Sequence, residues 1–187
     1  MDDREVIERV LDGDREAYAL LVERYKDMAY TIAVRLLGDR SDAEEVVQQA
    51  FIKAYSKLAL FRQEAAFSTW FFRIVYNGAI SLLRSRKKMI SGDDQILHGM
   101  ETGEPDFFES EERDLRKKAV LWAIAQLSPE EKAIVTLFYH EERSLKEIGA
   151  IVGSREETVK MKLHRARKKM KKLLMKRYQD VFMDELL

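Results

Sequence analysis

The chain has 187 residues, enough for one medium domain or two small ones, and its 46% hydrophobic content is that of an ordinary globular protein. It has no cysteine, which excludes disulfides and thiolate metal sites, and no apolar run approaches the ~20 residues that a membrane span needs. Its 33 basic and 33 acidic side chains cancel only in total: residues 1–92 carry a net +1, residues 93–114 a net −8 and residues 115–187 a net +7, and blocks of one sign bear on partners more than on fold.

In chain order, MDDREVIERV is acidic and lacks an apolar core, so it predicts a short helix over 3–11 and no secretory signal. Tyr18, Leu21, Val22, Tyr25, Ala29, Ile32 and Leu36 recur at helical spacing, with Gly38 as the expected stop. Val46, Val47, Ala50, Phe51, Ala54 and Leu58 form a second stripe, and Phe71, Ile74, Val75, Gly78 and Leu82 a third. Three amphipathic helices and the short one can bury a common core. Residues 89–111 hold three glycines, a proline and a surplus of acid without a sustained period, which predicts a flexible acidic linker.

Periodicity returns near Leu115 with Leu121, Ile124 and Leu127, then Ile134, Val135 and Phe138, then Leu145, Ile148 and Ile151, and last Val159, Leu163, Ala166 and Met170. Capping boxes, in which a hydroxyl takes one free N–H and a Glu three residues on returns to another, are expected at Ser41/Glu44, Ser128/Glu131, Ser144/Glu147 and Ser154/Glu157. No strand pattern appears. The expected fold is all-α, with two small helical domains at 1–88 and 112–187 joined by the linker.

Ser144–Ile151, a turn at Gly153 and a helix starting near Ser154 have the layout of a helix-turn-helix. From Arg155 to Arg177 the chain carries eleven Lys/Arg against two Glu. If Val159, Leu163, Ala166 and Met170 face inward, Lys160, Met161, His164, Arg165 and Lys168 face outward, where cations reach base edges or phosphates. A basic solvated helix is the competing reading. On the fourth helix of the first half, Thr69, Arg73, Tyr76, Asn77, Ile80 and Arg84 are expected outward, followed by the basic tail RSRKK. Rings and amides beside cations suit single-stranded DNA. Glu44, Glu45, Gln48 and Gln49 are expected to be exposed beside the second stripe.

These segments resemble the sigma-70 family of bacterial RNA polymerase sigma factors, especially the small extracytoplasmic-function group. TVKMKLHRARKKM and its lead-in LSPEEKAIVTLFYHEERSLKEIGAIVGSREE resemble the family's C-terminal promoter-binding domain. SDAEEVVQQAFIKAY resembles its polymerase-binding helix, and FSTWFFRIVYNGAISLLRSRKK its promoter-melting and −10 reading segment. The resemblance implies a factor that brings core RNA polymerase, through its β′ and β subunits, to promoters. Its partners would be promoter DNA, double-stranded at −35 and single-stranded at −10, and an anti-sigma factor. The expected location is cytoplasmic, with no membrane, metal or cofactor involved.

The residues implied for the −35 element are Arg155, Thr158, Lys160, Met161, Lys162, His164, Arg165 and Lys168. For the −10 element they are Phe61, Phe67, Ser68, Thr69, Arg73, Tyr76, Asn77, Arg84, Lys87 and Lys88. For the polymerase they are Asp42, Glu44, Glu45, Gln48, Gln49 and Ile52. Gln49, Ser81, Gly149 and Glu157 depart from the family's usual acid, Asp, Ala and Gly. The acidic linker is expected either to mimic RNA in the polymerase or to be a solvated tether. A free-standing helix-turn-helix regulator with a sensing or dimerising first half is the alternative reading. The residues assemble no metal cluster, phosphate loop or nucleophile–base pair of an enzyme.

Overall fold

The computed structural model describes residues 1–90 and 111–178. The described residues form eight α-helices and two short 3₁₀ turns. The first half holds α1 (Asp3–Leu11), α2 (Tyr18–Leu37), α3 (Arg40–Ser56) and α4 (Phe67–Ile90); the second holds α5 (Glu111–Ala125), α6 (Pro129–Tyr139), α7 (Leu145–Val152) and α8 (Glu156–Arg177). Residues 91–110, most of the expected linker, lie outside the described residues.

Local chemistry sets the helix ends. Gly38 and Gly153 stop α2 and α7 at φ 72° and 74°, left-handed geometry that glycine adopts without a Cβ penalty. The capping boxes at Ser128 and Ser144 form as expected, and Asp2 with Glu5 makes another at α1. Two expected boxes do not form. Asp39, two residues before Ser41, caps α3 by accepting the Asp42 N–H at 2.9 Å, which leaves Ser41 inside the first turn. Ser154 donates its hydroxyl to Glu130 Oε1 of α6 at 3.1 Å, and Arg155 stands at the N-cap of α8 without a side-chain cap.

An aromatic cluster centres the first half. The Phe51 and Phe71 rings lie 4.4 Å apart, Tyr25 packs on Phe67, Phe71 and Phe72, and Phe61 packs on Phe67 and Trp70. Burying each such ring stabilises by about 1.5–3 kcal/mol. The Tyr25 hydroxyl donates to Asp3, which pins α1 against α2. In the second half, Ile134 and Leu137 pack with Ile148, Ile151, Val159, Leu163 and Ala166. The two halves share one buried cluster, because α6 lies on α2 and α7 lies on α4.

The turn between α7 and α8 is tight. The N–H groups of Gly153 and Ser154 both donate to the Gly149 carbonyl, at 2.9 and 3.0 Å. A Cβ on Gly149 would meet the Ser154 carbonyl oxygen at 2.6 Å. That contact accounts for glycine at this position. Glu142, in the turn before α7, sits at φ 48°, a strained conformation for a side-chain-bearing residue.

Two substitutions should therefore change stability in opposite directions. Gly149→Ala is expected to lower stability by about 1–3 kcal/mol through overpacking, and Glu142→Gly to raise it by about 1 kcal/mol; urea denaturation midpoints measure both. The caps give a pH dependence. The Ser144 hydroxyl and N–H, with Arg143, hold the Glu147 carboxyl below its ordinary 4.5, against a smaller opposing effect of burial. A depressed carboxylate contributes stability that is present above 4.5 and is lost as pH falls through the lowered native value. Thermal melts between pH 5 and 3 should thus fall more steeply for the parent chain than for Ser144→Ala.

Candidate nucleic-acid interface

The face of α8 is set by what it buries. Val159 is 0% exposed, Leu163 5% and Ala166 0%, spaced to share one side of the helix. The opposite side is therefore exposed, and it carries Arg155, Thr158, Lys160, Met161, His164, Arg165 and Lys168. Met161, at 55% exposure, is an apolar group among cations. Lys162 differs from the others in this set: it is half-buried and paired with Glu130 at 2.5 Å. The Ser154 hydroxyl binds the same Glu130 oxygen, so this carboxylate ties both the turn and the helix to α6.

Other cations of α8 also face their own domain. Arg167 lies over the Phe138 and Tyr139 rings, 5.3 and 5.1 Å from their centres, and Arg177 over Trp122 at 4.6 Å. Lys169 donates to the Gln126 carbonyl at 2.8 Å.

On α4, Phe71 and Val75 point inward as expected. Arg73, Asn77, Arg84, Lys87 and Lys88 are exposed. Thr69 and Tyr76, expected outward, are buried. They share a second stripe with Phe72 and Ala79, and the second half of the chain packs there. Burial raises the Tyr76 phenol pKa, and the Glu130 charge of α6 raises it further. Phe67 and Ser68 are buried at the start of α4, whereas Phe61 is half-buried. Gln63 turns the preceding loop at φ 56°.

A cavity of about 540 Å³ lies between that loop and the start of α1, lined by Phe61, Gln63, Glu64, Phe67, Asp2 and Arg4. The contribution of α1 was not foreseen. Residues sixty positions apart carry no local signal of their proximity.

On α3, Glu44, Glu45, Gln48, Gln49 and Ile52 are exposed in one row, Ile52 at 62%. Asp42 stands apart because it pairs with Arg86 of α4. A groove of about 510 Å³ runs between α3 and α4, with Glu45 and Gln49 on one bank and Asn77 and Ser81 on the other. Among the described residues no three His, Asp or Glu side chains are placed to hold a metal ion, and no helix is long and apolar enough to cross a membrane.

A two-part helical chain with a cationic helix-turn-helix and a second helical surface rich in cations and aromatics is the layout of a sigma-70-type factor, and the comparisons agree. Residues 21–89 match the family model for Sigma-70 region 2, and residues 123–172 the model for Sigma-70 region 4. The chain is 31% identical to the ECF RNA polymerase sigma factor SigW of Bacillus subtilis, over 90% of this chain and 94% of that protein. It is 34% identical to the RNA polymerase sigma-H factor of Pseudomonas aeruginosa, over 92% and 93%. Among solved structures, CnrH in complex with the cytosolic domain of CnrY aligns with a TM-score of 0.68 at 24% identity, over 94% of this chain and 98% of that one. The sigma factor RpoE of Bartonella quintana, in complex with the anti-sigma factor NepR, aligns at 0.66 and 21%, over 84% and 96%. The chain belongs to the extracytoplasmic-function group of the sigma-70 family: it is a promoter-specific transcription-initiation factor.

Proposed function

We propose that three surfaces divide the work of initiation. The exposed side of α8 reads the double-stranded −35 element through Lys160, Met161, His164, Arg165 and Lys168, with Arg155 and Thr158 at its start. The observation that carries this reading is the one-sidedness of α8: an apolar stripe faces inward and unpaired cations face outward. The ion pair of Lys162 with Glu130 makes it a brace of the turn more than a reader.

The second surface, α4 with the 61–68 loop, holds the single-stranded −10 element. Asn77 supplies an amide for an extruded base, and Arg73, Arg84, Lys87 and Lys88 supply cations for the backbone. Stacking contributes ~1–3 kcal/mol per base, enough to trap an opened position but too little to melt a duplex alone. Strand opening therefore needs the polymerase. The third surface is the row Glu44, Glu45, Gln48, Gln49 and Ile52, which docks on the β′ subunit. Its anions and its exposed isoleucine suit a basic, partly apolar partner.

Residues 1–88 and 112–187 act as the two DNA-binding units in this scheme. An anti-sigma factor is a further partner, supported by the solved RpoE structure, whose complex contains one. The site of action is the cytoplasm, where the polymerase works.

Run-off transcription with reconstituted polymerase across a promoter library tests the whole scheme, and co-elution with core polymerase tests the third surface. Arg165→Ala and Lys160→Ala are expected to weaken promoter binding. A residue in base contact should relax specificity at one position by ~1–3 kcal/mol. A residue in phosphate contact should weaken all sequences alike and lower the salt slope by about one unit. Unchanged binding in both variants would remove the −35 assignment. Glu44→Lys combined with Glu45→Lys should abolish co-elution while leaving the helical content intact.

A further inference from the structure

We propose that Glu130 withholds Lys162 from DNA, so that one cation on the reading edge of α8 is kept out of phosphate contact and the sequence-independent grip on the duplex is weakened. The inference deepens the −35 reading of α8 and rests on it.

Lys162 stands at an edge of that face. It lies four residues after Thr158 and three before Arg165, so the three side chains share one side of the helix. Thr158 and Arg165 are exposed, whereas Lys162 is half-buried. Its ammonium is turned back onto Glu130 Oε1 of α6 at 2.5 Å. The same oxygen accepts the Ser154 hydroxyl at 3.1 Å. The next carboxylate along α6, Glu131, is taken up by the Ser128 N–H and hydroxyl, at 2.9 and 2.8 Å. Glu130, one residue earlier, meets the lysine instead.

The pair is built to persist when DNA arrives. Each of its side chains is only 31% exposed, and salt screens a pair at that depth less than one in open solvent. Swinging Lys162 out to a phosphate would leave a partly buried carboxylate with a hydroxyl alone to bind, and a charge stripped of its partner in such a place is costly.

The consequence concerns DNA of any sequence. Phosphate contacts raise binding to every sequence alike, whereas base contacts separate one sequence from another. Holding one cation back lowers the first contribution and leaves the second intact. The holoenzyme is thereby released more readily from DNA that lacks its −35 element.

The test uses holoenzyme reconstituted from the full-length chain and core polymerase. One short duplex carries a −35 element selected from the run-off library and ends before the −10 element; a second has a scrambled sequence. Binding to each is measured between about 50 and 200 mM salt. Glu130→Gln keeps an oxygen for Ser154 and removes the charge that holds Lys162. It is expected to steepen the dependence of log affinity on log salt by about one unit, which is one added phosphate contact. Affinity for both duplexes should then fall about threefold further than the parent's across that range. Lys162→Gln alone should leave the slope close to the parent's, and the double variant should return to it.

If Lys162→Gln alone flattens the slope by about one unit, Lys162 already touches phosphate and the withholding is overturned. It is overturned too if Glu130→Gln steepens the slope just as much when Lys162→Gln is present, because the effect then comes from lost repulsion. A lower melting temperature of Glu130→Gln with an unmoved slope, while Arg165→Ala still weakens binding, would reduce Glu130 to a structural brace and overturn the proposal. If Arg165→Ala and Lys160→Ala leave binding unchanged, the −35 assignment fails, and the withholding fails with it.

Discussion

The close approach of Gly149 to the Ser154 carbonyl governs the second domain. It lets the chain fold back within the residues between α7 and α8, and so sets the direction in which α8 leaves the turn. Once that direction is fixed, Val159, Leu163 and Ala166 fall on the surface offered by α6 and α7. The outward direction of Lys160, His164 and Arg165 is then a consequence of the α-helical period, with no polar contact needed to aim them. A Cβ at residue 149 would meet the Ser154 carbonyl oxygen at 2.6 Å, so the turn would have to shift.

Charge on α8 is less available than its count implies. Of the eleven Lys/Arg between residues 155 and 177, Lys162, Arg167, Lys169 and Arg177 are engaged with Glu130, Phe138 and Tyr139, the Gln126 carbonyl and Trp122. Binding to a polyanion gains its salt-dependent term from cations that displace counterions from phosphate. Cations already turned toward their own domain add little to that term. Positive charge therefore serves two purposes in this helix. Some of it fastens α8 to the domain, through rings and a carboxylate, and the rest faces solvent.

Much of this was legible in the sequence because burial leaves a periodic trace. The α8 stripe, the core positions of α2 and α3, the stops at Gly38 and Gly153 and the caps at Ser128 and Ser144 were all readable from neighbours within one or two turns. The misreadings share a physical origin. Ser41 lost its cap because Asp39 starts α3 two residues earlier, accepting the Asp42 N–H. Ser154 lost its cap to Glu130, and Asp42 was claimed by Arg86; both partners are tertiary and leave no local pattern. Thr69 and Tyr76 were placed outward because periodicity identified only one apolar stripe on α4. The second stripe is mixed in polarity and is covered by the other half of the chain, which periodicity cannot report.

Glu157 shows how such a tertiary effect reaches function. Had Ser154 capped α8, the Glu157 carboxylate would have been occupied with the N–H of its partner. Because Ser154 is bound to Glu130, the first turn of α8 instead presents Glu156 and Glu157 to solvent. The helix dipole favours anions there and stabilises the fold, but the same carboxylates repel phosphate. The cations begin again at Lys160 and continue along a helix of 22 residues, about 33 Å at 1.5 Å per residue. On the proposed reading, a duplex at this face would be pushed away from the N-terminal turn and drawn toward the middle, where His164 and Arg165 lie about one turn beyond Lys160. The register proposed for reading would then be set by repulsion at one end of the helix as much as by attraction along it.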